Sequence, residues 1–310
     1  MSATCPRDEG AAAVGIVGII GVGAMGAPMA RRLLERGFRV IVRDVVPERE
    51  AALIESGAVA AASAAELARQ ADVVLTVVVD SDQTDRVLFG EQGITQSGRE
   101  GVTVVMCSTV APRYAAGLAS RLAESAIGVL DAPISGGPRR ALAGTLSMMI
   151  GAPDAAIARV ASVLEAVASQ RFHVGQRVGD GSAMKIVNNM LAGINLAAAA
   201  EALALAERLG MDLAMVRDVV NASSGGSWMF GDRVPRILER DYAPRAATRI
   251  LTKDVGLGLD AAEAASAPAT LARAAHHIFA GALAQGLGEM DDAAVIEYCR
   301  AQIGFALHLD

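Results

Sequence analysis

Residues 14–30 read VGIVGIIGVGAMGAPMA, and this stretch decides the fold of the amino-terminal half of the chain. The apolar run that ends at Ile20 predicts a buried strand. Glycines follow directly in the pattern G-x-G-x-x-G from Gly21, and a helix is predicted over about 24–36. A strand, a glycine-rich turn and a helix in this order predict the start of a nucleotide-binding βαβ unit.

An acidic residue completes the dinucleotide fingerprint. Asp44 follows the next predicted strand, residues 38–43, and stands 23 positions after Gly21. In this context the glycines let the backbone approach a pyrophosphate, and the carboxylate accepts a hydrogen bond from the ribose 2′-hydroxyl. A carboxylate repels a 2′-phosphate, so Asp44 favours NAD over NADP, whereas Arg43 is a neighbouring cation that would weaken this preference. The cofactor-binding residues predicted in this segment are Gly21, Gly23, Ala24, Met25, Gly26 and Asp44.

Apolar strands and helices alternate up to about residue 174. Further strands are predicted at 72–79, 102–106 and 127–130. Nearly continuous apolar strands indicate a parallel sheet that helices cover on both faces. After residue 174 the pattern is helical throughout, and the longest predicted helix, 184–209, should be buried. We therefore expect an α/β fold with a doubly wound, parallel-sheet Rossmann domain over 14–174, an all-helical domain over 175–310, and a disordered leader over 1–13.

Composition excludes several classes of function. The 310 residues are 53% hydrophobic and 20% charged, which is typical of a folded globular chain. A net charge of −6, no basic block and 3% aromatic residues argue against nucleic-acid binding. The uncharged stretch 10–30 contains six glycines and Pro28, which argues against a membrane span. The three cysteines, Cys5, Cys107 and Cys299, have no paired spacing and predict reduced thiols in a cytoplasmic protein.

Lysine is nearly absent from the chain. The 28 basic residues include only Lys185 and Lys253, and arginine supplies every other positive charge. Lysine can lose its proton near neutral pH when buried, whereas arginine cannot. Asn189 follows Lys185 by four residues, so both side chains lie on one face of the long predicted helix. An apolar helix would partly desolvate Lys185 and lower its pKa, which suits proton transfer; the alternative is a lysine that extends into solvent.

The segment Asp131-Ala-Pro-Ile-Ser135-Gly136-Gly137 follows the strand predicted at 127–130. Two glycines after a serine allow successive backbone N–H groups to point at one anion, with the serine hydroxyl as an additional donor. A carboxylate group would fit such a site. An ordinary Gly-Gly turn remains the alternative interpretation of this segment taken alone.

Four motifs in order resemble the β-hydroxyacid dehydrogenase family over nearly the whole chain, residues 14–298. They are GVGAMGAPMA at 21–30, DAPISGG at 131–137, GDGSAMKIVNN at 179–189 and TKDVGLGLDAA at 252–262. The resemblance implies that Lys185 is the catalytic acid and base, and that Asn189 holds the substrate. It further implies that Ser135, Gly136 and Gly137 bind the substrate carboxylate, and that Thr109 and Lys253 contact the cofactor.

The expected function is hydride transfer between NAD and a small hydroxy acid. Three further segments, residues 72–90, 227–242 and 291–298, resemble a sugar-acid branch of the family, which implies a four-carbon substrate such as L-threonate. Tartronate semialdehyde or a 3-hydroxyisobutyrate-type acid is the alternative substrate, and a non-catalytic dinucleotide-binding protein is the alternative class. No metal site is expected, because His276 and His277 are adjacent and diverge by about 100° on a helix. The apolar, alanine-rich helices predict a homodimer or homotetramer.

Overall fold

The computed structural model describes residues 15–304, so the predicted leader over 1–13 and Cys5 lie outside the described residues. The chain divides into two compact units, Met1–Met184 and Lys185–Asp310, which we call the Rossmann unit and the helical unit. The predicted α/β fold, a Rossmann domain followed by a helical one, is confirmed.

The Rossmann unit contains a nine-stranded sheet within residues 15–304. Its strands are β1 Ile16–Ile20, β2 Arg39–Arg43, β3 Val59–Ala60, β4 Val73–Thr76, β5 Thr103–Met106, β6 Gly128–Asp131, β7 Ile134–Ser135, β8 Leu146–Gly151 and β9 Ala168–Gly175. The order is β3-β2-β1-β4-β5-β6-β8-β7, and β9 pairs with β8. The sheet is parallel from β3 to β6, as predicted. The expectation of a parallel sheet is wrong at the far end, where β8 runs antiparallel to β6 and β7.

Helices cover both faces of this sheet. In the Rossmann unit they are α1 Gly26–Glu35, α2 Glu48–Glu55, α3 Ala64–Gln70, α4 Ser81–Phe89, α5 Pro112–Ala123, α6 Gly137–Ala143 and α7 Asp154–Val167. Two separate apolar cores result, one on each face. Local sequence sets several boundaries: Ser63 caps α3 by accepting a hydrogen bond from Glu66 N at 3.1 Å, and Pro112 occupies the first turn of α5.

The helical unit contains a third core. Helix α8, Asp180–Arg208, leads into it, and α9 Leu213–Asn221, α10 Trp228–Glu239, α11 Thr248–Ala264, α12 Thr270–Ala284 and α13 Val295–Gln302 follow. The prediction that the long helix is buried is only partly correct, because Val187, Leu191 and Leu205 are each more than half exposed. By length and composition α8 could cross a membrane, a test that the core helix of a soluble protein also passes.

The units divide inside α8, later than the predicted boundary at 174/175. The first turn of this helix belongs to the Rossmann unit, because the backbone N–H groups of Gly179 and Ser182 donate to the carboxylate of Asp131. These hydrogen bonds join the turn to the end of β6. The sequence pattern could not show this attachment, since the helical periodicity is continuous across Met184.

Candidate functional site

The glycine loop between β1 and α1 is held closely by its own chain. Gly21 has φ +90°, and a Cβ there would lie 2.4 Å from Val77 O. At Gly26 a Cβ would lie 1.9 Å from Gly21 O, so any side chain would break the turn. At Gly23, by contrast, a Cβ would approach only Arg49 Nη1, at 4.0 Å. Gly21 and Gly26 are therefore required because the loop packs tightly against its own backbone and Val77, whereas Gly23 leaves open space in front of the backbone.

This open space suits the pyrophosphate of a dinucleotide. Helix α1 begins at Gly26 without a side-chain cap at Met25. The N–H groups of Ala27 and Met29 already donate to Gly23 O and Met25 O, so an anion would be bound by the backbone N–H groups that precede Ala27. Ala24 is exposed at the same turn. The residues present fit an NAD(P) dinucleotide.

Asp44 makes more contacts than the fingerprint alone implies. The residue is 4% exposed; its Oδ2 accepts a hydrogen bond from Val22 N at 2.8 Å, and its Oδ1 accepts one from Val46 N at 2.9 Å. Glu50 Oε1 accepts the N–H of Asp44 at 2.6 Å and lies 3.5 Å from Arg43 Nη1. The carboxylate therefore fixes the glycine loop, and the neighbouring Arg43 is paired with Glu50.

The turn after β7 contains two successive glycines with positive φ. Ser135 ends β7, Gly136 has φ +134° and Gly137 has φ +75°. Two successive positive φ values explain both glycines, since other residues rarely adopt this conformation. A Cβ at Gly136 would lie 3.0 Å from Arg140 Cδ, so the side chain of the following helix closes one side of the turn.

Thr109 follows β5 in the segment that leads to α5. It is partly buried, whereas the preceding Cys107 and Ser108 are buried, and Ser108 contacts Thr84 across the connection. Gly21, Asp44 and Thr109 thus all follow carboxyl ends of parallel strands of one sheet, the edge at which doubly wound folds bind ligands.

Helices α8 and α11 bring together the other predicted residues, at positions within the helical unit. Lys185 is 7% exposed and Asn189 is 9% exposed, both on α8. Asn189 Nδ2 donates to Asp254 Oδ2 at 2.6 Å, and Lys253 Nζ lies 2.7 Å from Asp254 Oδ1. Asn188 Nδ2 in turn donates to Asn189 Oδ1 at 2.9 Å, which fixes the orientation of the Asn189 amide.

Asp254 is the centre of this cluster, and sequence reasoning missed it. The residue is 3% exposed, and its two carboxylate oxygens connect Asn189 to Lys253. Its position directly after one of the two lysines was the available signal. A buried carboxylate beside two lysines is the feature that sets the charge of the cluster.

Burial lowers the pKa of Lys185 to about 8. The negative charge of Asp254 opposes this by raising the pKa, and the positive charge of Lys253 adds to the lowering. Lys185 therefore exists in both protonation states near neutral pH, which is the condition for a general acid or base.

Asp131 is a second residue that sequence reasoning left without a role. It is fully buried at the end of β6, where Oδ2 accepts hydrogen bonds from Gly179 N at 2.9 Å and Ser182 N at 2.7 Å. The Ser182 hydroxyl donates to Oδ1 at 2.7 Å. Burial raises the pKa of this carboxyl, although the three hydrogen bonds act in the opposite direction. Asp131 thus holds the first turn of α8, three residues before Lys185.

Within residues 15–304, no group of three or more His, Cys, Asp or Glu side chains is arranged to hold a metal ion. The adjacent acidic residues Asp291 and Asp292 have structural contacts. Asp291 caps a short 3-10 helix, Asp292–Ala294, by accepting a hydrogen bond from Ala293 N. Asp291 and Asp292 are also paired with Arg236 and Arg233 respectively.

Comparison with known families defines the class of the protein. Residues 16–175 match the NAD-binding domain of 6-phosphogluconate dehydrogenase, and residues 179–299 match the NAD-binding domain of NADP-dependent 3-hydroxyisobutyrate dehydrogenase. The protein is an NAD(P)-dependent dehydrogenase that acts on a CH–OH group of a hydroxy acid.

Individual relatives narrow this class. The chain is 44% identical over 284 residues to L-threonate dehydrogenase of Cupriavidus necator, covering 92% of this chain and 95% of the relative. It is 37% identical over 265 residues to 3-hydroxyisobutyrate dehydrogenase of Pseudomonas aeruginosa, covering 83% and 89%. The crystal structure of a 3-hydroxyisobutyrate dehydrogenase from Salmonella typhimurium superposes with a TM-score of 0.86 at 40% identity, covering 91% of this chain and 99% of that one. The chain belongs to the 3-hydroxyisobutyrate dehydrogenase-like family of β-hydroxyacid dehydrogenases.

Proposed function

We propose that this protein oxidises a four-carbon sugar acid of the L-threonate type with NAD. The observation that carries the proposal is the buried cluster of Lys185, Asn189 and Asp254, with the pKa of Lys185 lowered to about 8. The relatives named L-threonate dehydrogenase, at 40–44% identity to this chain, support the substrate class. The carboxylate of Asp44 beside the glycine loop supports NAD over NADP.

In the proposed reaction one set of residues binds the substrate carboxylate and another binds the hydroxyl that reacts. The backbone N–H groups of Gly136 and Gly137 and the hydroxyl of Ser135 bind the carboxylate, and the Asn189 amide orients the hydroxyl that reacts. Lys185 in its neutral form accepts the hydroxyl proton at Nζ. The bound nicotinamide supplies the acceptor for the hydride. In reduction of the oxo acid, the protonated Lys185 returns the proton.

The remaining predicted residues are assigned to the cofactor. The backbone at Gly23, Ala24 and Met25 would bind the pyrophosphate, and Asp44 the adenosine ribose. Thr109 and Lys253 would contact the nicotinamide half, with Lys253 held by Asp254. Gly21 and Gly26 act indirectly, by allowing the turn that presents Gly23.

Initial rates with a panel of substrates and both cofactors test this function. L-threonate, 3-hydroxyisobutyrate and tartronate semialdehyde are each assayed, the first two with NAD or NADP and the third with NADH or NADPH. We expect the highest kcat/KM for L-threonate with NAD. Faster reduction of tartronate semialdehyde or faster oxidation of 3-hydroxyisobutyrate would replace the proposed substrate with an alternative from the same family.

We further propose that the protein is a cytoplasmic homodimer or homotetramer. The helical unit leaves large apolar side chains more than half exposed in a single chain, among them Leu205, Leu209 and Leu271. Large apolar side chains exposed in this number on a helical unit favour a subunit interface. Cys107 and Cys299 are free and buried, which agrees with a reducing compartment.

The charge of Asp254 sets the pH dependence of the proposed reaction. Oxidation needs neutral Lys185, so kcat/KM should rise with pH through the pKa of this residue. Since the Asp254 charge raises that pKa, the substitution Asp254→Asn is expected to shift the rising limb to lower pH. The measurement is kcat/KM for oxidation against pH. Asp260→Asn, on an exposed position of the same helix, is the matched control and should leave the limb in place. If the pH of the rising limb were unchanged in Asp254→Asn, the charge of this carboxylate would not act on Lys185.

A further inference from the structure

Arg140 lies beside the turn that is proposed to bind the substrate carboxylate. The residue belongs to α6, and its Cδ and Nε would lie 3.0 and 3.2 Å from a Cβ at Gly136. Its Nε donates to Thr145 O at 2.8 Å, and its Nη2 lies 3.5 Å from Ser147 Oγ. Ser147 is paired with Ser135 across β7 and β8, so the two serine side chains share one face of the sheet. The guanidinium group is therefore held next to the turn, by a residue on the same face as Ser135.

Arg140 differs from the other arginines that are partly or fully buried. Within residues 15–304, each of the others makes an ion pair with a carboxylate, whereas Arg140 makes none. The paired residues are Arg32, Arg43, Arg99, Arg217, Arg233, Arg236 and Arg300. Arginine cannot give up its proton, and a charge that is removed from water without a partner destabilises a fold. A cation in this position is therefore suited to an anion that is not part of the chain.

The proposed reaction needs a positive charge at this turn. The groups assigned to the substrate carboxylate are the hydroxyl of Ser135 and the backbone N–H groups of Gly136 and Gly137, which are all neutral donors. Lys185 is neutral when oxidation begins, so it adds no charge to the binding of the acid. Hydrogen bonds between ionised groups are stronger than those between neutral groups.

We propose that Arg140 is a further substrate-binding residue, whose guanidinium group supplies the positive charge for the carboxylate and makes the protein selective for hydroxy acids over their uncharged analogues. The inference rests on the proposed function, which places the carboxylate at the turn 135–137.

Calorimetric titration of the NADH-loaded protein tests this without turnover, because reduced nicotinamide cannot accept a hydride. The probes are L-threonate and L-threonamide, which differ in the charge of the carboxyl group. The substitution Arg140→Gln is expected to weaken binding of L-threonate by about tenfold or more, because a charge-assisted contact is lost. Binding of L-threonamide should change by less than about twofold, since no charge interaction is lost with a neutral ligand.

Two further variants separate charge from packing. Arg140→Lys keeps the positive charge and should retain the preference for the acid over the amide to within about threefold. Arg139→Gln is the matched control, because it removes the same charge from an exposed position of the same helix. We expect Arg139→Gln to change binding of either probe by less than about twofold. Thermal unfolding identifies the variants that fold.

Several outcomes would overturn the assignment. Equal weakening of acid and amide in Arg140→Gln would show that Arg140 only maintains the shape of the turn. Unchanged binding of the acid in a folded Arg140→Gln protein, or loss of the preference for the acid in a folded Arg140→Lys protein, would reject the role of its charge.

A second pair of probes, 3-hydroxyisobutyrate and its amide, separates this inference from the proposed substrate. If the wild-type protein bound this acid and not L-threonate, and Arg140→Gln weakened the acid alone, the proposed substrate would be wrong and the role of Arg140 would stand. Binding of neither acid by the wild-type protein would reject both proposals.

Discussion

Replacing Lys185 with arginine is expected to reduce kcat for hydroxy-acid oxidation by about 10²- to 10⁴-fold, the usual contribution of general acid–base catalysis. The variant keeps a positive charge at a buried position but loses the ability to give up a proton near neutral pH. Affinity for NAD should change little, because Lys185 is assigned to the substrate. The measurement is kcat/KM against pH together with NAD titration.

Lys253→Arg provides the control, because it makes the same chemical change at the only other lysine of the chain. Lys253 Nζ is paired with Asp254 at 2.7 Å, a charge contact that arginine can also make. We expect a raised KM for NAD and an unaltered pH profile. Thermal unfolding of both variants separates a lost proton acceptor from a misfolded site. A folded Lys185→Arg protein with wild-type turnover and an unshifted rising limb would remove Lys185 from the catalytic role.

Replacing Asp131 with alanine is expected to lower the free energy of unfolding by about 3–5 kcal/mol. The change leaves the buried N–H groups of Gly179 and Ser182 and the Ser182 hydroxyl without their acceptor, and each unsatisfied group costs roughly 1–3 kcal/mol. Asp131→Asn should cost much less, since an amide oxygen can accept both N–H groups and burial already disfavours the charge. Urea unfolding followed by circular dichroism measures both variants.

Asp260→Ala on the exposed surface of α11 is the control for this series, with an expected change within about 0.5 kcal/mol. Because Asp131 holds the turn three residues before Lys185, Asp131→Asn should also retain activity better than Asp131→Ala. If Asp131→Ala were no less stable than the control, the first turn of α8 would have to be held by other contacts.

Features that depend on neighbouring residues were predictable from the sequence. The loop from Gly21 to Gly26 and the α3 cap at Ser63 follow from local geometry. The start of helix α9, Leu213–Asn221, is also local in origin, because the Asp212 side chain caps it by accepting a hydrogen bond from Ala214 N. Strands β3, β7, β8 and β9 were missed. Strands β3 and β7 have only two residues each, and β9 is exposed at most positions and shows no continuous apolar run.

The Rossmann domain, the helical domain and the two lysines were all predictable from the sequence, because periodicity, glycine spacing and the scarcity of lysine are local or compositional properties. Which charges act on one another depends on the packing of distant segments. Asn189 and Asp254 are 65 positions apart, and Asp131 and Ser182 are 51 apart, yet each pair is joined by hydrogen bonds. Arg43 is the sequence neighbour of Asp44, but packing pairs Arg43 with Glu50 at 3.5 Å and Arg49 with Asp44 at 3.4 Å. Electrostatic interactions act through space, so their partners are set by how helices and strands pack and not by their order along the chain.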